Sequence, residues 1–326
     1  MSAGLAGHGV SRTPSVSAGT LRSVATRIAP VALSIVASAV LTGRVAETGF
    51  LALAVVAGLP HGAFDHKVAR STFAPRHGAR WWQPFLAGYL ALASAMLFAW
   101  WALPIVALPL FLLLSVLHFG DQDASRSAPC RMVRIVAHGG VPVIVSAACH
   151  PAAIAQLLAV LVPGPGQAHM VALLLGGPLI MLWLAAAAAT LIAYAGSGQS
   201  ADVAAATDLV LVTLLFAFAP PLIGFSLYFA VIHAPRAMAA AIPAGGMPVG
   251  EVALPLALTA IALAFGALIF QAGPGDAVEE NVVRTAFLLL SALTVPHMWL
   301  DWRARSASTR TDRSMTLARG IADAQP

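Results

Sequence analysis

The stretch MVALLLGGPLIMLWLAAAAATLIAYA, residues 170–195, decides the fold class of this chain. It contains no charged side chain, and it exceeds the roughly 20 apolar residues that a helix needs to cross a bilayer. Similar runs recur along the 326 residues, of which 59% are hydrophobic and only 10% are charged. The mean hydropathy is +0.85. Because soluble domains carry about 25% charged residues, the composition predicts an integral membrane protein.

The apolar runs predict an all-α, polytopic membrane helix bundle of about ten spans. The spans are expected at residues 27–43, 48–66, 83–102, 104–120, 132–149, 170–195, 205–220, 222–241, 251–271 and 282–302. A short stretch near 151–162 is expected to lie in the interface. The predicted domains are a disordered cytoplasmic leader (1–23), a transmembrane helical domain (24–303) and a disordered cytoplasmic tail (304–326).

The distribution of arginine predicts the orientation. Basic residues precede the first span and follow the second, fourth and last, whereas the loop at 273–280 carries three acidic residues. The positive-inside rule then places both termini in the cytoplasm, and we expect the protein in the cell (inner) membrane. The net charge of +5 follows from this pattern, so that we expect no nucleic acid as a partner.

The positions of lysine and cysteine exclude a retinal-binding opsin and a disulfide bond. The single lysine, Lys67, lies beside a helix end, so the chain lacks the buried lysine on which an opsin holds retinal as a Schiff base. The two cysteines, Cys130 and Cys149, lie near opposite ends of one predicted helix, about 28 Å apart at 1.5 Å per residue. They are therefore expected to remain free thiols.

Four histidines lie at the ends of even-numbered spans, and the predicted topology places them all near the cytoplasmic face. They are His61, His118, His233 and His297. Imidazole is the commonest protein ligand for iron, zinc and copper, and helix bundles build metal sites from side chains on facing helices. The pattern predicts a metal site, with His61, His118 and His233 as the catalytic ligands and His297 as the fourth.

Carboxylates recur near these histidines. Both Pro60-His61 and Pro296-His297 are followed four residues later by an aspartate, Asp65 and Asp301. Positions four apart share one face of an α-helix, so each aspartate is expected to accept the second ring N–H of its neighbouring histidine. Asp121 and Asp123 could do the same for His118.

At these residues the sequence resembles the Brp/Blh type of membrane-bound beta-carotene dioxygenase. The resembling stretches are GLPHGAFD at 58–65, LHFGDQD at 117–123, VAHGGVP at 136–142, IHAPR at 232–236 and LTVPHMWLD at 293–301. The resemblance implies a non-haem iron enzyme, with Fe2+ as cofactor, that splits the central double bond of beta-carotene with O2 and yields two molecules of retinal. It leaves open whether a rhodopsin receives the retinal.

The chain departs from the family pattern at one position. In the family the motif that begins at His233 reads H-x-x-x-H, whereas position 237 is Ala237 here. Either His297 completes the iron site, or three histidines and water hold the metal, or iron binding has been lost. Aromatic residues expected to line a carotenoid tunnel are Phe64, Phe119, Phe225, Tyr228, Phe229 and Trp299.

Other functions remain open from the sequence alone. A proton or cation transporter could use the His/Asp cluster, although its polar residues would run through the bilayer. A di-iron desaturase or hydroxylase would need more histidines, commonly in H-x-x-x-H and H-x-x-H-H runs that the chain lacks. A non-catalytic carotenoid- or retinal-binding membrane relative is the third alternative, which Ala237 leaves open.

Overall fold

The computed structural model describes residues 43–124, 130–242, 247–273 and 277–322, together with the single positions Ala32 and Val36. Within these ranges nine helical stretches are long and apolar enough to cross a membrane, and the regular structure there is all helical. Nine of the predicted spans, from 48–66 to 282–302, fall on these stretches. The first predicted span, 27–43, and the leader lie outside the described residues apart from those two positions. The prediction of an all-α polytopic membrane bundle is confirmed.

Fourteen α-helices follow one another in the described ranges, and short segments of other helical geometry join some of them. They are α1 (Arg44–Gly58), α2 (Asp65–His77), α3 (Trp82–Ala102), α4 (Pro104–Asp123), α5 (Arg131–Gly139), α6 (Ser146–Cys149), α7 (Pro151–Ala159), α8 (Pro165–Gly176), α9 (Pro178–Ser197), α10 (Ser200–Phe218), α11 (Pro221–Leu227), α12 (Ala234–Ala241), α13 (Val249–Gln271) and α14 (Val278–Ala322). The short helix α7 lies where the sequence predicts an interfacial segment.

The last helix, α14, is longer than the predicted span 282–302. It begins at Val278 and continues to Ala322, whereas the sequence predicts an unstructured tail from residue 304. The division of the chain into leader, membrane domain and tail remains a prediction.

Four segments among the described residues depart from regular α-helical geometry. One is a short 3-10 turn after α2, Gly78–Arg80, and two of the others carry a predicted ligand or end on one. Residues Leu59–Phe64 form a 3-10 helix that begins next to Pro60, and Tyr228–His233 form a π-helix that ends on His233. The fourth, Val141–Val145, joins α5 to α6 as a π-helix. Single π turns inside α-helices occur frequently at functional sites, and here one determines where the ring of His233 lies.

Two glycines let α4 and α5 approach closely beside His118. A methyl group on Gly139 would overlap the carbonyl oxygen of Val116, and one on Gly120 would overlap that of Ile135. Such backbone contact is typical of small residues at helix interfaces in membranes. The pair therefore holds the end of α4, and with it His118, firmly against α5.

Candidate metal centre

His61 owes its orientation to the 3-10 helix that carries it. Its Nδ1–H donates to the carbonyl oxygen of Gly58, three residues earlier, over 2.5 Å. A methyl group on Gly58 would overlap the ring of Phe229, and that ring in turn lies edge-on to His61 with 5.6 Å between centroids. With Nδ1 occupied by a carbonyl, Nε2 is the nitrogen that His61 offers to a metal.

His233 is the most deeply buried of the predicted ligands, with 0% of its surface exposed. Its ring lies edge-on to Phe119, with 4.8 Å between centroids, and stacks on Phe229 at 5.8 Å. Neither ring nitrogen has a hydrogen-bond partner among the described residues. A buried polar group without a partner is costly and requires an explanation, and coordination of a metal is one.

The three histidines from separate segments of the chain meet at one point. The ligand nitrogens of His61, His118 and His233 all lie within 4.8 Å of one another. A point at the centre of such a triangle is at most about 2.8 Å from each nitrogen, close to the ~2.1 Å of a histidine–metal bond. Sub-ångström side-chain movement would complete coordination. The residues present therefore fit a transition-metal ion, although the role of each as a ligand remains a prediction.

His297 lies beside the three, and Asp65 holds it. Its ring centroid is 5.2 Å from that of His118 and 5.9 Å from that of His61. Its Nδ1–H donates to Asp65 Oδ1 over 2.6 Å. Its Nε2 has no hydrogen-bond partner among the described residues and lies 3.7 Å from Asp301 Oδ2. A carboxylate on one ring nitrogen and a free second nitrogen are typical of metal-binding histidines.

The structure corrects the partner that the sequence predicts for Asp65. Its partner is His297 on α14, and not His61 on its own segment. The reason is the 3-10 geometry of Leu59–Phe64, which aligns residues three apart, so that positions 61 and 65 do not share a face. Asp301, on regular α-helix, does lie next to His297 as the spacing predicts.

The expected role of Asp121 and Asp123 toward His118 is also wrong. Asp121 pairs with Arg131 and Arg305. Asp123 accepts a hydrogen bond from the hydroxyl of Tyr228 over 2.6 Å, and Arg236 lies 3.5 Å from it. Both carboxylates contact basic or hydroxyl side chains from other segments. Such pairing is expected because an unpaired charge inside the bilayer is costly.

Arg236 is a site residue that the sequence analysis did not single out. It joins Asp123 of α4 to Asp208 of α10, whose Oδ1 lies 2.9 Å from its guanidinium. It stands one turn beyond His233, so these ion pairs anchor the His233 segment to the helix that carries His118. The signal available in the sequence was an arginine inside an apolar span, which requires a carboxylate partner.

An apolar cavity of about 470 Å³ adjoins the cluster. His61, His118 and His297 lie in its wall, and so do Asp65 and Tyr89. Most of the remaining lining is aliphatic or aromatic, as is usual for ligand sites in which a few polar groups are placed for chemistry.

The prediction of tunnel aromatics is half right. Phe119, Phe225 and Phe229 line the cavity, whereas Phe64, Tyr228 and Trp299 do not. Aromatic residues that line the cavity and were not predicted are Phe85, Tyr89, Phe111, Phe265 and Phe287.

The two cysteines are free thiols, as expected.

Comparison with known proteins identifies the family of the chain. Residues 52–302 match the family model of beta-carotene 15,15'-dioxygenases. The chain is 30% identical over 268 residues to the beta-carotene 15,15'-dioxygenase of an uncultured marine bacterium, covering 80% of this chain and 94% of that protein. It is 28% identical over 324 residues to the probable beta-carotene 15,15'-dioxygenase Blh of Halobacterium salinarum, covering 86% and 93%. No solved structure matches. This membrane protein belongs to the beta-carotene 15,15'-dioxygenase family.

Proposed function

We propose that this enzyme cleaves the central double bond of beta-carotene with O2 at an iron(II) ion held by His61, His118, His233 and His297. The observation that carries the proposal is the convergence of three histidine nitrogens within 4.8 Å, from two buried rings and one half-buried ring. Two of these histidines also line the apolar cavity. The relatives named as beta-carotene dioxygenases supply the substrate and the reaction type.

The reaction balances without a further reductant. The central carbon–carbon double bond and the O–O bond both break, and each carbon takes one oxygen as an aldehyde, which gives two molecules of retinal. Both oxygens are reduced and both carbons are oxidised by the same number of electrons. Bound iron supplies an open coordination position and a redox-active centre for O2, chemistry that amino-acid side chains lack.

The protein's own groups hold the donors in place before substrate arrives. The Gly58 carbonyl fixes the tautomer of His61, and Asp65 fixes that of His297. Packed aromatic rings hold His233. Neutral imidazoles leave the charge of the metal in place, and the apolar cavity excludes water from the polyene. Preorganisation of this kind lowers the cost of ordering the site during the reaction.

His297 is proposed to take the place that Ala237 leaves empty in the family motif. Ala237 lies one turn beyond His233 and carries no donor atom, whereas His297 has its Nε2 free beside the other rings. The alternative with three histidines and a water differs in one measurable respect. Under that alternative, loss of His297 would leave iron affinity almost unchanged.

The other functions receive less support. A transporter needs polar groups stacked through the bilayer, yet all four candidate ligands lie around one end of the cavity. A di-iron desaturase or hydroxylase needs more histidines than the four candidate ligands that lie together among the described residues. Beta-carotene would reach the cavity from membrane lipid, and we place the protein in the inner membrane with both termini cytoplasmic, following the arginine distribution.

The test is iron content together with product. Protein purified in detergent from a host that makes beta-carotene should contain iron and form retinal with consumption of O2. Removal of the metal with a chelator should stop the reaction, and iron(II) should restore it better than zinc. Retinal formation that persists in fully metal-free protein would refute the proposal.

A further inference from the structure

The cavity beside the cluster is long and has the histidines at one end. On α14 its lining extends from His297 to Phe287, ten residues earlier, which is about 15 Å along a helix. On α4 it extends from His118 to Phe111, about 10 Å in the same direction. We call this part of the cavity, between the histidines and Phe287, the arm.

A short helix closes the arm at the end remote from the histidines. Arg284, one turn beyond Phe287 on α14, donates to the carbonyl oxygen of Val160 from Nη2 over 2.8 Å and from Nε over 3.2 Å. This contact fixes the end of α7 at the depth of Arg284. Ile154 and Leu158 on α7 both line the cavity, so α7 forms the floor of the arm.

Part of this end is a thin wall between two cavities. Leu157, Pro221 and Leu222 line both the main cavity and a second one of about 200 Å³. Unlike the main cavity near this wall, the second cavity is lined by four charged residues, which are Arg44, Glu47, Glu279 and Glu280. One layer of apolar side chains therefore separates an apolar arm from a charged pocket.

Along its side, the cavity reaches the outer surface of the bundle. Leu90 of α3 and Ile261 of α13 line the cavity and are also 55% and 65% exposed. Leu86 and Phe265 on the same two helices share both properties. The outer surface of a membrane bundle faces lipid, so these four residues border an opening that we call the lipid slot.

We propose that the arm limits how far the carotenoid can enter the site. One half of the carotenoid fills the arm up to α7 and the Leu157/Leu222 wall, while the other half leaves through the lipid slot. The depth of the arm then sets which double bond lies at the histidines. A closed arm of about 15 Å suits one extended C20 half of beta-carotene, which places the central bond at the cluster. This inference rests on the proposed function and assigns cleavage position to α7 and the wall.

The first test shortens the arm. Ile154→Trp, compared with the wild type and with Leu182→Trp, a lipid-exposed position on α9 outside the cavity, should shift cleavage from one C20 aldehyde to an unequal pair. Retinal yield should fall about 10- to 200-fold, the range for a misfit in an apolar pocket. Metal-free protein should bind retinol, a C20 polyene, at least about tenfold more weakly. Unchanged products and unchanged retinol affinity would overturn the proposal.

A second variant opens the wall and decides the question if Ile154→Trp fails to fold. Leu157→Ala should admit a carotenoid with a hydroxylated ring, because the arm would then open into the charged pocket. The ratio of zeaxanthin to beta-carotene turnover should rise about tenfold over wild type and over Leu182→Ala, and an unchanged ratio contradicts the role of the wall. Should the wild type form no aldehyde, the proposed function fails, and retinol binding to metal-free protein still decides whether the arm exists.

Discussion

Asp65 and Asp301 occupy equivalent positions in the sequence but not in the structure, and this difference can be measured. Asp65 has a side chain only 7% exposed and lies 2.6 Å from Nδ1 of His297, whereas Asp301 is 34% exposed and lies 3.7 Å from Nε2. A hydrogen bond to a charged partner contributes about 1.5–3 kcal/mol, and a neutral one about 0.5–1.5 kcal/mol. Asp65→Asn therefore weakens the hydrogen bond that orients His297 by roughly 1–1.5 kcal/mol. This loss lowers the affinity for iron(II) about tenfold. Asp65→Ala, which leaves no acceptor, should cost up to about 100-fold.

The assay is titration of metal-free protein with iron(II) under anaerobic conditions, with retinal formation measured in parallel. Asp301→Asn serves as the matched control, because it removes the same charge from a position too distant for a hydrogen bond. We expect that variant to weaken iron binding less than about threefold, in keeping with its exposure. Equal losses in the two variants, or a larger loss from Asp301→Asn, would refute the assignment of Asp65 as the residue that orients His297.

Three further predictions follow from the same geometry. His61→Ala should abolish the bleaching of a beta-carotene-producing host, while His66→Ala, whose ring is tied to a local carbonyl, should retain it; bleaching by the His61 variant would exclude it as a ligand. Ala237→His should leave iron affinity unchanged within about threefold if His297 already completes the site, and a gain of tenfold or more would show that a ligand was missing. Gly139→Ala should prevent stable folding, because its methyl group would overlap backbone atoms of α4. Gly49→Ala, whose methyl group meets open space, should instead raise the free energy of unfolding by about 0.5–1 kcal/mol. If thermal unfolding in detergent ranks the two variants otherwise, the close packing of α4 and α5 is contradicted.

Hydrophobic run length predicts the membrane helices well, because the cost of leaving backbone unpaired in lipid leaves few alternatives to a helix. Residues 170–195 are helical as expected, although Gly177 divides them between α8 and α9, and the nine described apolar stretches lie where spans were predicted. The shared depth of His61, His118 and His233 was also predicted from the sequence, because each lies at the cytoplasmic end of a predicted span, and the structure brings their ring nitrogens together. The depth of a residue in the membrane can therefore be predicted from its place in an apolar run.

The direction in which a side chain leaves its helix, and so its partner, is harder to predict from the sequence. The pairing of Asp65 with His297 depends on a 3-10 segment, and the pairing of Asp123 with Tyr228 and Arg236 joins residues more than a hundred positions apart. The cavity is built by side chains of many helices at once, so that no single stretch reveals it. Its closed end depends on Arg284 reaching the carbonyl of Val160, a contact without any local signature.

The histidine cluster can be tested as the iron site by metal analysis of two purified proteins, the wild type and a variant in which His61, His118 and His233 are all alanine. Both are to be isolated from the same beta-carotene-producing cells and checked for the same helical content. We predict about one iron per wild-type chain with retinal in the extract, and neither iron nor retinal for the variant. Equal iron in both proteins, or retinal from the variant, would contradict the assignment of the reaction to this cluster.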